Sequence, residues 1–393
     1  MIRLTFKKLA RWMGAAVCCA SLSACAAKEI PADWKHECVG RMELSLPGEA
    51  DVAATPKEFF QKQFGILKAD NIPGFAFEDM QIAGYSHLYG IAISHVSHTL
   101  DAQTISSLRR GFWKDRGEIA MSLKKDADPE VHTRETATVQ TGMPNADASR
   151  TEEQISAMIA LGSHLVLTGA RVTDATLSHL QKIAKSQLLL KTRLNAMSSR
   201  DFYSLPSEQG ICLPYTFIKD DGTPYRNIGM TYRLKSHPDV TIWLEDSSAA
   251  EYDDPIREKN AQPAARHNDF WGQYGRGDRQ VDTIWKLPAV RPVTLDGREG
   301  LASFVEITHR EQPARESAFG PKSKYRPKST DYGYLAVVRG DPKAKQDTPD
   351  LRLYVIREAA HAKAKGIEPI NEKAFLEMAQ TIAASVKHRV GEK

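Results

Sequence analysis

Apolar residues recur along the chain in two rhythms. Met42, Leu44 and Leu46 alternate with Glu43 and Ser45, the period of a half-buried strand, and Cys38 shares their parity. Thr55-Pro56-Lys57-Glu58 reads as a capping box with Pro at the first helical position, and predicts a short helix through Phe59 and Phe60. Residues 75–100 lean toward strand through Ile82, Tyr85, Leu88, Tyr89 and the run Ile91-Ala92-Ile93. Residues 125–149 are polar, contain Pro, Gly and Asp, and predict a loop. Beyond a second capping box, Thr151-x-x-Gln154, the residues Ile155, Met158, Ile159, Gly162, Leu165 and Val166 keep helical spacing. A further helix, capped by Thr173 or Asp174, carries Leu177, Leu180, Ile183, Ala184 and Leu188 on one face.

The strand rhythm returns after Ser207. Ile228, Met230, Tyr232 and Leu234 alternate with Gly229, Thr231 and Arg233; Ser236-His237-Pro238-Asp239 makes a turn, and Val240, Ile242 and Leu244 alternate on the way back. That is a hairpin. Residues 246–292 are polar and turn-rich, broken by Tyr252, Phe270, Trp271, Tyr274 and Trp285. Strands follow at Leu301–Thr308, Tyr332–Arg339 and Leu351–Ile356. A helix, Glu372–Arg389, is capped by Asn371 and aligns Phe375, Met378, Ala379, Ile382 and Val386, with Lys387, His388 and Arg389 suited to its C-terminal dipole. The fold class expected is α+β: two domains, residues 35–288 and 289–393, each a mainly antiparallel sheet with packed helices.

The N-terminus adds a location. Arg3, Lys7, Lys8 and Arg11 precede an apolar run from Trp12 to Leu22, well short of the ~20 residues that span a bilayer. Basic start, short apolar stretch and small residues make residues 1–24 a secretory signal. Its end, Leu22-Ser23-Ala24-Cys25, resembles the bacterial lipobox, which implies that Cys25 is lipidated and begins the mature chain, with residues 25–34 as a tether. Ala26 stands where an Asp would resemble an inner-membrane retention signal, so the expected address is the periplasm, anchored to the outer membrane.

Composition sharpens this. Loss of the leader removes four basic and no acidic residues, so Lys+Arg falls from 53 to 49, against 49 Asp+Glu. The formal charge of +4 becomes zero, which argues against a nucleic-acid partner. Of the five cysteines, Cys18 and Cys19 leave with the leader and Cys25 takes the lipid. Cys38 and Cys212 remain, each at the start of a strand-like run, and in an oxidising compartment they suggest one disulfide; the alternative is two buried free thiols. Such a bridge would contribute on the order of 4–5 kcal/mol by loop entropy.

Candidate chemistry is sparse. Gly84-Tyr85-Ser86-His87-Leu88-Tyr89-Gly90 lacks the spacing of a nucleophile elbow. His95-Val96-Ser97-His98 lacks the base and third ligand of a metalloprotease helix, and no cysteine cluster could hold zinc. Gly320-Pro321-Lys322-Ser323 lacks phosphate-loop spacing. Asp253-Asp254 and Lys219-Asp220-Asp221-Gly222 read as turn acids. No enzyme, cofactor or metal is expected. Phe270-Trp271-Gly272-Gln273-Tyr274-Gly275-Arg276 differs in kind: Trp271, Tyr274 and Arg276 are candidate partner-binding residues, unless the rings fold back to staple the loop onto the core.

Three stretches carry a resemblance: Glu37-Cys38-Val39-Gly40-Arg41 leading into Leu44-Ser45-Leu46-Pro47, Gly210-Ile211-Cys212-Leu213-Pro214, and the hairpin with His237-Pro238-Asp239. With the leader and the C-terminal unit they resemble the immunity lipoproteins that accompany lipase effectors of bacterial type VI secretion. The resemblance implies a periplasmic antitoxin that grips a cognate phospholipase and blocks its active-site entrance or lid; it transfers no contact residue to this chain. The alternatives are a structural or envelope-assembly lipoprotein and a divergent envelope hydrolase using Ser86 or His95.

Overall fold

The computed structural model describes residues 29–63, 72–88, 90–95, 102–125, 136–151, 154–220, 227–274, 281–285, 289–311, 328–344 and 347–389. The chain opens with β1 (Lys35–Val39), β2 (Met42–Leu46), β3 (Ala50–Val52) and α1 (Lys57–Gln63). Next come β4 (His87–Leu88), β5 (Ala92–Ile93), α2 (Ala102–Lys125), β6 (Thr136–Val139), β7 (Ala146–Thr151), β8 (Gln154–Leu161) and β9 (His164–Ala170). Helix α3 (His179–Ala196) leads to β10 (Met197–Ser199), β11 (Gly210–Leu213), β12 (Thr216–Lys219), β13 (Asn227–Leu234) and β14 (Val240–Ser247). The remainder is α4 (Pro255–Ala261), α5 (Pro263–Tyr274), β15 (Val281–Trp285), β16 (Arg291–Leu295), β17 (Arg298–His309), β18 (Ser329–Val338), β19 (Asp350–Arg357), α6 (Ala359–Ala364), α7 (Glu372–Ser385) and β20 (Lys387–His388).

The largest sheet runs β15-β17-β18-β19-β14-β13-β3, with β16 added on β17 and β4 on β13. Every ladder in it is antiparallel. The expected α+β class holds. The boundary expected near residue 288 falls inside this sheet, because β14 pairs along its whole length with β19 from the far side. Strands from both sides share one core, in which Met230, Tyr232, Ile242 and Leu244 meet Leu353, Val355, Ala336 and Phe375. The β13–β14 hairpin forms as its alternation predicts, Met230 opposite Leu244.

Several elements depart from expectation. Residues 155–166 form the β8–β9 hairpin, not a helix: Ile155, Ala157 and Ile159 enter the main core while Met158 and Leu165 pack on the other face against Phe60, Leu108 and Phe112. A strand buried on both faces loses its polar alternation and imitates helical spacing. The expected loop at 125–149 contains β6 and β7, which extend that sheet to the order β5-β9-β8-β7-β6. Helix α3 is capped by Ser178 through a capping box with Gln181, and it buries Ser186, Leu190, Arg193 and Leu194, not the apolar face read from its sequence. Residues 246–292 hold α4 and α5, each begun by a proline at its first turn, where the missing N–H costs nothing. Helix α7 ends at Ser385, and Lys387 and His388 pair with β2 instead of prolonging it.

Small sheets close around the expected disulfide. Cys38 and Cys212 are bonded and fully buried, at a sequence separation of 174. Next to the bridge, Gly40 and Cys212 exchange both backbone hydrogen bonds, at 2.9 and 2.7 Å. Glu37 accepts from the backbone N–H of Cys38 (2.8 Å) and Tyr203 (2.9 Å) and pairs with Arg200 at 2.5 Å. Arg389, beside β20, donates to the carbonyls of Pro206, Glu208 and Gly210. Residues 37–40 and Arg389 are thereby fastened to one stretch, residues 200–212. Cys25 lies outside the described residues, and among those described no helix is long and apolar enough to cross a membrane.

Candidate functional site: an aromatic cleft on the outer face of the large sheet

Alternation in the large sheet sends a second set of side chains away from the main core. Trp243 and Glu245 on β14, Arg352, Tyr354 and Ile356 on β19, and Leu335 and Val337 on β18 all point this way. Register sets Trp243 opposite Tyr354. Part of the face is covered by α5. Trp271 is 3% exposed, and a Cβ at Gly333 would overlap its ring, so the glycine makes the slot that the indole fills. Its Nε1–H donates to Ser303 Oγ at 2.8 Å, and Ser303 lies 2.7 Å from His267 Nδ1. The other nitrogen of His267 donates to the Leu301 carbonyl at 2.9 Å, and burial pushes this imidazole's pKa below its ordinary value. The Ser–His contact is thus an internal strut of α5: it is buried, its donors are used, and no carboxylate orients it.

Beside α5 the face stays open. A cleft of about 510 Å³ is bounded by Gly84, Tyr85 and His87 on one side and Asn260, Arg266, Asp269, Phe270 and Gln273 on the other, over Trp243 and Arg352. Tyr85 is the hub. Its ring stands 5.6 Å from Phe270, 5.7 Å from Trp243 and 5.4 Å from Tyr354, yet the residue keeps 40% of its surface exposed. Burial of the phenol, with the Glu358 charge adding, pushes its pKa up to about 12, so the hydroxyl stays a neutral donor. Tyr85 reaches this place because β4 pairs with β13, His87 opposite Gly229. A Cβ at Gly229 would overlap both the His87 ring and the Trp243 indole nitrogen, so glycine permits the approach.

The polar rim is held by ion pairs and hydrogen bonds. Arg352 pairs with Glu245 and lies over the Trp243 ring at 5.2 Å. Arg266 reaches Asp350 at 3.0 Å, and Gln273 donates to Asp269 at 2.6 Å. His87 Nδ1 donates to the Tyr85 carbonyl at 2.9 Å, and Nε2 lies 2.5 Å from Asn227 Oδ1. Among the described residues, no nucleophile–base pair faces the cleft. Ser86 is 8% exposed and donates to Thr231 Oγ1 at 2.7 Å. His95 is buried, with Nε2 on the Ala76 carbonyl, and His98 lies outside the described residues. Among the described residues no group of three or more His, Cys, Asp or Glu is placed to hold a metal ion. Asp254 caps α4 and Asp220 pairs with Arg41, while Asp221 and Gly222 lie outside the described residues. Aromatic rings and arginines around a concave floor are the side chains that protein-recognition surfaces favour.

Of the three partner-binding candidates, Trp271 is withdrawn into the core, so the stapling alternative describes it. The side chain of Tyr274 and the whole of Arg276 lie outside what the structure describes. From the same segment, Phe270 and Gln273 line the cleft. Tyr85, Trp243 and Arg352 were missed. A signal existed for Trp243, a large aromatic on the polar parity of an otherwise clean hairpin.

Comparison with known proteins bears on this face. Residues 204–284 match the family Tli4_C, described as the C-terminal domain of Tle cognate immunity protein 4. Trp243, Asn260, Arg266, Asp269, Phe270 and Gln273 all lie in that segment. The fold is similar to apo TplEi, a T6SS immunity protein from Pseudomonas aeruginosa, with a TM-score of 0.52 at 14% identity, covering 91% of this chain and 98% of that one. It is equally similar to a chain of the Tle4–Tli4 complex, with a TM-score of 0.52 at 14% identity, covering 92% and 99%. At that identity the likeness is one of fold. None of the curated proteins matches the chain significantly in sequence. The resemblance to immunity proteins read from the strands and turns is met by the family match and by the shared fold.

Proposed function

We propose that the chain is a lipid-anchored periplasmic immunity protein that binds a type VI secretion lipase or phospholipase effector and blocks its active-site entrance or lid. It acts as a stoichiometric inhibitor, and the aromatic cleft is its contact surface. The observation that carries this reading is the Tli4_C match, whose segment supplies one wall and part of the floor of the cleft. The half-exposed Tyr85 ring, stacked on Phe270 and flanked by Arg352, has the chemistry of an interface anchor. Anchoring through Cys25 would hold the inhibitor where an incoming membrane-degrading enzyme acts.

Co-expression in the periplasm with the lipase encoded beside its gene tests the function. Survival with a recoverable one-to-one complex is expected; persistent toxicity at full expression, with no complex, overturns it. The cleft is tested separately by Tyr85→Ala/Phe270→Ala. A fall in effector affinity of at least tenfold is expected, the scale of an anchor truncation of about 2 kcal/mol. Unchanged affinity in the folded variant removes the cleft from the interface.

A further inference from the structure

Helix α3 buries one set of leucines and leaves a second set exposed. Its inner face, against β8, β9 and β12, carries Ser186 and Arg193 alongside Leu190 and Leu194. These polar groups are seated by specific bonds: Ser186 Oγ accepts from Val172 N at 3.0 Å, and Arg193 Nη1 donates to the Gly169 carbonyl at 3.0 Å. The orientation is therefore fixed by the fold. Outward, at intervals of four residues, stand Leu180, Ala184 and Leu188. Leu180 is 76% exposed, the most of any large apolar side chain among the described residues, and Leu188 is 66% exposed. The helix contains Lys182, Lys185, Lys191 and Arg193 and no acidic residue, although charges balance over the chain beyond the leader. Lys185 and Lys191 are exposed, beside the leucine line.

We propose that α3 docks on an anionic lipid bilayer, its leucine line entering the interface and Lys185 and Lys191 meeting lipid phosphates. An exposed apolar line flanked by cations on an otherwise balanced chain is the pattern of a helix lying in a membrane surface. The long lysine stems can lie along the acyl boundary while their ammonium groups stay among the headgroups. The charge complementarity selects anionic lipid, since neutral headgroups leave the cationic rim unanswered. None of the residues of α3 lines the cleft, so this inference stands apart from effector binding.

The chain from Ala26 onward, which holds every described element and no lipid, is sedimented with vesicles of phosphatidylethanolamine and phosphatidylglycerol, and with vesicles of phosphatidylcholine alone. Binding to the first and at least tenfold weaker binding to the second are expected. Leu180→Glu/Leu188→Glu and, as a second variant, Lys185→Glu/Lys191→Glu should each lower anionic-vesicle binding at least tenfold with unchanged circular dichroism. No binding to anionic vesicles, or equal binding by both variants, overturns the proposal. So does self-association of the wild type in sedimentation velocity that the leucine variant abolishes, which would make the line a contact between copies. Loss of effector binding by the leucine variant without lipid, with vesicle binding intact, also overturns it.

Discussion

Replacing both bonded cysteines, Cys38→Ala/Cys212→Ala, isolates what the bridge does. The bond closes a loop of 174 residues, for which the loop-entropy relation gives about 5 kcal/mol at 25 °C. That is an appreciable part of the roughly 5–15 kcal/mol typical of a folded protein. The native contacts around the bridge do not depend on it. Gly40 and Cys212 keep their backbone pair, Glu37 keeps Arg200, and Phe217 still packs beside the former sulfurs. The variant should therefore fold to the same structure, with the loss arising chiefly from a freer unfolded chain. Urea unfolding followed by tryptophan fluorescence should show a destabilisation of about 3–5 kcal/mol. The unfolded variant is also more extended than the cross-linked chain, so its m-value should rise. Thiol titration of the unreduced, urea-denatured protein should find Cys38 and Cys212 unreactive. Two titratable thiols there would refute the bridge, and coincident unfolding curves would refute the reasoning from loop closure.

Trp271→Ala removes a fully packed indole and leaves Ser303 without its donor, so a loss of about 3–5 kcal/mol is expected, read as an earlier loss of amide protection in α5 during hydrogen exchange. Stability should also fall as pH drops below the ordinary histidine value near 6.5. Burial holds His267, and likewise His164, below that value in the folded state, so the unfolded chain takes up the proton first. His361 works in the opposite sense: its hydrogen bond to Glu358 raises its pKa, so its contribution is present at low pH and lost as pH rises, but it is half exposed and well screened. Urea midpoints at pH 7.5 and 5.5 should thus differ, and His267→Asn should flatten the difference.

How much of this was legible depended on whether one face or two were buried. The β13–β14 hairpin was readable because Ile228, Met230, Ile242 and Leu244 share one parity and the other parity is mostly polar or small. The β8–β9 hairpin was not, since Met158 and Leu165 are buried under α2 while Ile155 and Ile159 enter the main core. Proline misled at Pro255 and Pro263, where it opens helices in a stretch that reads as turns. In α3 the apolar rhythm identified the helix and misjudged its orientation, because tertiary bonds at Ser186 and Arg193 overrode amphipathicity. The disulfide was accessible because only two cysteines remained once the leader was set aside. The cleft could not be read. Its lining comes from residues 84–87, 243, 260–273 and 352, which only the pairing of β4 with β13 and of β14 with β19 brings together.

The pairing of β20 with β2 has a consequence for biosynthesis. Met42 meets His388, and Arg389 then fastens residues 206–210, so the first hairpin waits for residues some 340 positions later before its sheet is complete. A chain made from its N-terminus cannot finish this sheet until residues 387–389 have been synthesised.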